Sequence, residues 1–367
     1  MQAVVCPEFA ASTVEEVPRP EPAPDEVVIA PDRVQFSVTE CQLFHGREVA
    51  HYGTIADRIA AGGARLFGHE FCGHVDAVGD DVTSLSVGDR VYAPGKIACG
   101  ECAYCRAGEP YHCGTQTGIG YDRPGAVAEY VAVPAEPLCR LPEGISDAEG
   151  AAMQPMASAL LATVDAGIEP GDVVAVVGTG VMGYQVGQAA AALGASEVFA
   201  VDVRERPLSI AADRGMIPVN ATEADPVAAV RDATGGVGAD VAVAAAGGRQ
   251  SHATEGSDPL ATAHALVARG GTICQVGHIE GELTWRPRDT RSKKLTWVNP
   301  RTGSVPLGPN RTTGELAAEW VANGTVSIDE YVTHELTGLG SFEEAIEITL
   351  EKDAYDALGP AQIVIER

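Results

Sequence analysis

Lysine is nearly missing from this chain: Lys96, Lys293, Lys294 and Lys352 are the only four in 367 residues. Lysine and arginine together number 25 against 51 aspartates and glutamates, which gives a formal net charge of −26. With no basic stripe to neutralise phosphates, nucleic acid is excluded as a partner. An acidic tail is also missing. The acids are spread along the chain, as expected of a halophilic surface whose self-repulsion is screened by concentrated ions. Long apolar runs are lacking too. The longest, around 173–177 and 186–193, are shorter than a bilayer-spanning helix requires, so no membrane partner is expected. The start of the chain, with strand-like Gln2 to Val5, has neither the basic opening nor the apolar core of a signal peptide, and the expectation is a cytoplasmic protein.

What is present suits a globular protein of two domains. Hydrophobic residues make up 45% and occur throughout, which excludes disordered and fibrous classes. The first 150 or so residues read as irregular β, with short runs such as Val27 to Ile29 and Arg90 to Tyr92 between Gly, Pro and Asp turns. From Ala151 to Ala166 an Ala/Leu-rich helix intervenes. Apolar strands then alternate with helical segments at Val173–Val177, Val198–Val201, Val241–Ala244 and Thr272–Val276, the grammar of a parallel sheet covered by helices. Beyond about residue 300 the pattern is mixed and ends in strand-like Gln362 to Glu366. There is no internal repeat, and the only biased stretch is the Pro-rich turn from Pro18 to Pro24.

The first of those strands runs into Gly178, Thr179, Gly180, Val181, Met182 and Gly183, followed by a helix from Tyr184 to Leu193, a strand from Glu197 to Val201, and Asp202. Each part has a mechanical use in binding a dinucleotide. Gly178 permits the tight turn, Gly180 lets a pyrophosphate approach the backbone, and Gly183 lets helix and strand pack closely. The helix N-terminus offers unpaired N–H groups to the phosphates. An acid about twenty residues on accepts hydrogen bonds from the adenosine ribose. Asp202 in that place favours NAD over NADP, although Arg204 and Arg206 nearby could hold a 2′-phosphate.

Four of the nine cysteines fall together as Cys99, Cys102, Cys105 and Cys113. In a cytosolic chain such clustering points to metal rather than disulfides. Four thiolates can close a tetrahedral shell around a structural zinc ion. An iron–sulfur cluster is the competing reading. Cys6, Cys72, Cys139 and Cys274 stand alone and read as small buried hydrophobes.

Taken together, the chain resembles the zinc-dependent medium-chain alcohol dehydrogenase family, in its polyol- and threonine-dehydrogenase-like branch, over essentially its whole length. The resemblance rests on several motifs besides the cysteine cluster and the glycine loop. These are Gly68-His69-Glu70 with Gly73 and Val75, the run Val87 to Val91, Gly125 with Glu129 and Tyr130, and the segment from Gly270 to Gly277. It implies an α/β molecule in which a GroES-like, β-rich catalytic domain accompanies a Rossmann domain with a doubly wound parallel sheet. The first would comprise residues 1–152 and 300–367, with a structural-zinc lobe at about 95–115, and the second residues 153–299. Val276 and Gly277 would join the coenzyme site, and the active site would lie between the domains, its mouth shaped by Arg47 to Phe67.

The resemblance also implies a catalytic ion, most firmly held by His69 with Glu70 beside it. A catalytic site needs about three protein ligands and one open position. The family's first ligand, a cysteine, falls on Ser37 here, which also aligns Thr39 with the family's proton-accepting hydroxyl and Glu40 with the carboxylate that orients the ligating histidine. Cys41 is the alternative should the loop be shifted. The remaining family ligand aligns with Gln154. Oxygen and nitrogen without thiolate would make Mn²⁺ competitive with zinc. The family's distal relay histidine corresponds to Gln42, which cannot ionise, leaving water, His45 or His51 for proton exit. The expectation is a metal-dependent NAD(P)-linked alcohol or polyol dehydrogenase, a homodimer or homotetramer acting on a small alcohol or carbonyl. Its rivals are a metal-free reductase of quinones or enones on the same fold and a non-catalytic nucleotide-binding sensor.

Overall fold

The computed structural model describes residues 1–246, 248–249, 259–280 and 286–367. The chain forms two compact units, one from Met1–Ser158 with Thr302–Arg367 and the other from Ala159–Arg301. Among the described residues, no helix is long and apolar enough to cross a membrane.

The first unit is built on a seven-stranded sheet. Its order is Glu335–Thr337, Gln362–Val364, Glu26–Gln35, Glu70–Val78, Arg90–Tyr92 and Cys139–Arg140, with Val131–Pro134 also pairing with Glu26–Gln35. Glu26–Gln35 is the hub. Val27, Ile29 and Val34 are fully buried in a core shared with Phe36, Phe44, Phe67, Phe71 and Phe342. Phe342 meets Phe36 and Phe44 edge-on at ring separations of 5.4 and 5.3 Å, an arrangement that favours the aromatic quadrupoles. This strand extends well past the Val27–Ile29 run, through Pro31 and Asp32. Antiparallel partners on both sides supply the ladder that local propensity alone does not favour. The register sets Gln35 opposite Glu70 on one side and opposite Gln362 on the other, a polar row across an otherwise apolar sheet.

Among the described residues, the main sheet of the second unit has six parallel strands in the order Ile217–Asn220, Glu197–Asp202, Val173–Val177, Ala239–Ala244, Val267–Gln275 and Thr296–Val298. Chain order therefore reverses between Val173–Val177 and Ala239–Ala244. In a doubly wound sheet that switch point opens a crevice at the carboxyl ends of the strands, where dinucleotides sit. The central strands are buried Val/Ala runs, as a sheet covered on both faces demands.

Candidate active site and metal centres

His69 immediately precedes the strand Glu70–Val78, and its imidazole is held from the side by Glu40. Glu40 belongs to the first turn of the helix Val38–Phe44 and is completely buried. A buried carboxylate is tolerable only when its oxygens are satisfied, and these are. Oε1 lies 2.8 Å from His69 Nδ1 and accepts from the Gly68 amide at 2.7 Å. Oε2 accepts from the Ser37 amide at 3.1 Å. Ser37 Oγ in turn accepts from the Glu40 amide at 3.2 Å, so Ser37 and Glu40 form a reciprocal capping box. One side chain thus starts a helix and aims an imidazole.

With Nδ1 occupied by Glu40, His69 Nε2 lies 3.7 Å from Glu70 Oε1. Burial works against the imidazolium, but the charge of Glu40, with Glu70 beside it, brings the His69 pKa up to about 9. Burial likewise raises the Glu70 carboxyl. Its other oxygen accepts from Gln35 Nε2 at 2.6 Å, and Gln35 Oε1 accepts from Gln362 Nε2 at 2.9 Å. The Nε2 and Oε1 atoms are spaced for one shared ion, since two bonds of about 2.1 Å at a tetrahedral angle span about 3.4 Å. Among the described residues no third His, Cys, Asp or Glu joins this pair at ligand distance. Replacing Glu40 with alanine is expected to lower kcat/KM by about 10–100-fold, the usual effect of losing a carboxylate that orients a metal-binding histidine. Steady-state kinetics beside a melting curve will separate that effect from the lost cap.

The other residues singled out in the sequence lie as follows. Thr39 stands in the same helical turn as Glu40. Gln154 Nε2 donates to Ser158 Oγ at 3.1 Å and to the Pro94 carbonyl at 3.4 Å. Cys41 is in the hydrophobic core, where burial, with the nearby charge of Glu40, pushes its thiol well above the usual range and disfavours the thiolate a metal would need. His45 is exposed. His51 stacks on Tyr121 with ring centroids 4.5 Å apart, and Tyr121 is tilted against His69 at 5.2 Å. Neither Tyr121 nor Gln35 stood out in the sequence. The period-two pattern could have found Gln35, whereas Tyr121 arrives through a long-range contact.

In the second unit the helix Val181–Ala192 begins at Gly180 with no side-chain cap, leaving its first amides to other acceptors. A Cβ on Gly183 would sit 1.8 Å from the Gly178 carbonyl oxygen, whereas one on Gly180 would meet nothing within 4 Å. The first glycine is required by packing, and the second keeps clear a space into which a phosphate fits. Asp202 Oδ2 accepts from the Thr179 amide at 2.7 Å, which ties the loop to the end of the second strand. Its Oδ1 accepts from the amides of Val203 and Arg204 at 2.8 and 3.1 Å. Arg206 is exposed just beyond, in the helix Glu205–Asp213. The Val276 and Gly277 amides both donate to the Ala244 carbonyl at 2.9 Å, at the carboxyl ends of two central strands.

The sulfurs of Cys99, Cys102, Cys105 and Cys113 all lie within 4.8 Å of one another. Three pairs are 3.4, 3.5 and 3.9 Å apart. A tetrahedral ion with Zn–S bonds of about 2.3 Å requires edges of about 3.8 Å, so the four fit one ion closely. Hydrogen bonding from Thr115 lowers the Cys113 thiol to about 6, which favours a thiolate there.

A Rossmann sheet with an uncapped glycine loop, joined in one chain to a β-rich unit carrying a four-thiolate centre, defines an oxidoreductase of the NAD(P)-dependent, zinc-binding type. Comparison with known proteins agrees. Residues 23–143 match the alcohol dehydrogenase GroES-like domain, and residues 181–323 match the zinc-binding dehydrogenase family. The chain is 30% identical over 335 residues to L-threonine 3-dehydrogenase of Bacillus subtilis (strain 168), covering 91% of this chain and 90% of that protein. It is 34% identical over 290 residues to an alcohol dehydrogenase of Geobacillus stearothermophilus, covering 77% and 79%. The alcohol dehydrogenase TADH of Thermus sp. ATN1 superposes over 100% of both chains with a TM-score of 0.82 at 27% identity. The chain belongs to the zinc-dependent medium-chain alcohol dehydrogenase family.

Proposed function

We propose that this enzyme interconverts a small alcohol or polyol and its ketone or aldehyde at a centre formed by His69 and Glu70, with NAD preferred to NADP. The observation that carries the reading is the fixed imidazole: Glu40 occupies Nδ1, and Nε2 lies beside a carboxylate. A bound ion there would stabilise the alkoxide and so ease hydride departure. Gln35 holds Glu70 in place, and the Thr39 hydroxyl accepts the substrate proton. Ser37 and Gln154 are the oxygen donors left to complete the ligand set. Such a shell admits Mn²⁺ as well as zinc. Cys99, Cys102, Cys105 and Cys113 hold the structural zinc. Asp202 receives the adenosine ribose, the loop from Gly178 to Gly183 the pyrophosphate, and Val276 and Gly277 the nicotinamide side, with Arg206 nearest to any 2′-phosphate.

On this reading residues 1–152 and 300–367 form the catalytic domain and residues 153–299 the coenzyme domain. The family resemblance supports a homodimer or homotetramer working in the cytoplasm. A net charge of −26 with four lysines supports a halophilic setting. The melting temperature is accordingly expected to rise steeply from dilute buffer to molar KCl, and a flat dependence would remove the halophilic assignment.

Metal analysis paired with mild chelation tests the central claim. Untreated protein is expected to carry two ions per chain. A chelator that strips only the more accessible ion should abolish alcohol oxidation and leave the four-cysteine ion bound. Turnover that persists after this treatment would instead favour the metal-free reductase.

A further inference from the structure

We propose that Gln362 is a positioning residue of the catalytic centre, acting through Gln35 to fix which oxygen of Glu70 faces His69. The proposal rests on the assignment of that centre to His69 and Glu70. Strand register brings the three side chains together. Gln35 stands opposite Gln362 on one neighbouring strand and opposite Glu70 on the other, so all three share one face of the sheet. They are shut away from solvent, with Gln362 0%, Gln35 2% and Glu70 5% exposed. Replacing a buried hydrogen-bonded pair by apolar groups of the same shape can be nearly neutral for stability, so packing alone gives no reason for amides here. What an amide pair adds is direction.

That direction is set at the end of the row remote from His69. Arg33 Nη1 donates to Gln362 Oε1 at 3.2 Å, and the Ala148 carbonyl accepts from Gln362 Nε2 at 2.9 Å. A guanidinium can only donate and a carbonyl can only accept, so the Gln362 amide has one workable orientation. Arg33 is held in turn by Glu335, whose Oε2 lies 2.5 Å from its Nη1, and its side chain is 12% exposed.

The orientation passes along the row. Gln362 Nε2 also donates to Gln35 Oε1 at 2.9 Å, which turns Gln35 Nε2 towards Glu70 Oε2, where it donates at 2.6 Å. With Oε2 capped by a donor, Glu70 presents Oε1 to the site, 3.7 Å from His69 Nε2. Were either amide reversed, an oxygen would face the carboxylate and repel it. Gln362 thus bears on the centre without touching it, through the one side chain that does touch Glu70.

The rate of ion release tests this, because a merely structural amide would move the melting curve and not the release rate. Wild-type protein mixed with a chelator and a metal indicator should show one ion released quickly and the four-cysteine ion slowly. Gln362→Met keeps the length of the side chain and removes its hydrogen bonds. It is expected to speed release of the first ion about tenfold, the lower end of what losing an outer partner of a ligand costs in affinity. Gln35→Met should speed it at least as much. The double variant decides the route. If Gln362 acts through Gln35, adding Gln362→Met to Gln35→Met leaves the release rate unchanged. The melting temperature should still fall further, since the Arg33 and Ala148 contacts are lost as well. Release at the wild-type rate in Gln362→Met, or multiplicative acceleration in the double variant, would overturn the proposal. Should Gln362→Met not fold, Gln362→Asn, which withdraws the amide by one methylene, carries the same expectations. His69→Ala in the same series distinguishes the two levels of argument. If the quickly released ion stays, the assignment of the centre has failed and the proposal with it. If that ion goes while Gln362→Met releases it normally, only the role of Gln362 has.

Discussion

His69→Ala is expected to lower kcat/KM by about three orders of magnitude and to remove one of two bound ions per chain. The scale follows from what a Lewis acid supplies to a developing alkoxide, several kcal/mol, at roughly 1.4 kcal/mol per tenfold in rate. The fold should tolerate the change. The His69 side chain is 20% exposed, so water can enter part of the space that its loss leaves. Glu40, although buried, keeps the amides of Ser37, Gly68 and His69 as donors and is not stranded. The melting temperature should therefore move far less than the rate. Metal analysis, steady-state kinetics and a thermal melt on one preparation check all three. Retention of more than a tenth of wild-type kcat/KM would place the chemistry elsewhere.

The second large effect concerns stability. Cys105→Ala is expected to release the four-cysteine ion and lower the melting temperature by about 10 °C. The segment around this centre has little else to hold it. Its one α-helix, Ala103–Arg106, spans four residues and buries none of them, and Tyr104 is 51% exposed. Three of its backbone amides, those of Cys99, Cys102 and Cys105, point at cysteine sulfurs instead of carbonyls. Without the ion those bonds lose their anchor. Metal-dependent segments of this kind derive their folding free energy from coordination. A cost of several kcal/mol, at about 2–4 °C per kcal/mol for a domain of this size, gives the predicted shift. Calorimetry measures it, and limited proteolysis should show cleavage opening between residues 99 and 113. An unchanged melt with the ion lost would mean that the segment stands without it.

The coenzyme half was the more legible part of the molecule. Its strands are continuous apolar runs and its glycines sit where phosphate chemistry needs them, both local signals. The helix after the loop begins at Val181 and not at Tyr184, because Gly183 is packed tightly inside its first turn. The β-rich half was harder to read. Glu26–Gln35 contains Pro31 and Asp32, which read as a turn, and only pairing with strands distant in sequence makes the segment one strand. At the site, His69 and Glu70 carry a sequence signature. The spacing of Ser37 and Glu40 is itself a capping-box signal that helix-start rules would identify. Tyr121 carries no such mark. Its place beside His69 arises from a turn clamped by Arg58, an arrangement of backbone carbonyls that leaves no trace in residue pattern.

The glutamine pair behind Glu70 has a bearing on how the enzyme is made. Gln35 and Gln362 are 327 positions apart, yet one must hold the other before the row that ends on Glu70 is complete. Ribosomes add about 5–20 residues per second, so this interval spans roughly 15–65 s of translation. For most of it, the nascent chain carries His69 and Glu70 beside a sheet whose hub has an open edge. A half-made molecule is therefore an inactive one, and its unpaired strand is an inviting target for chaperones or for another nascent chain on the same message.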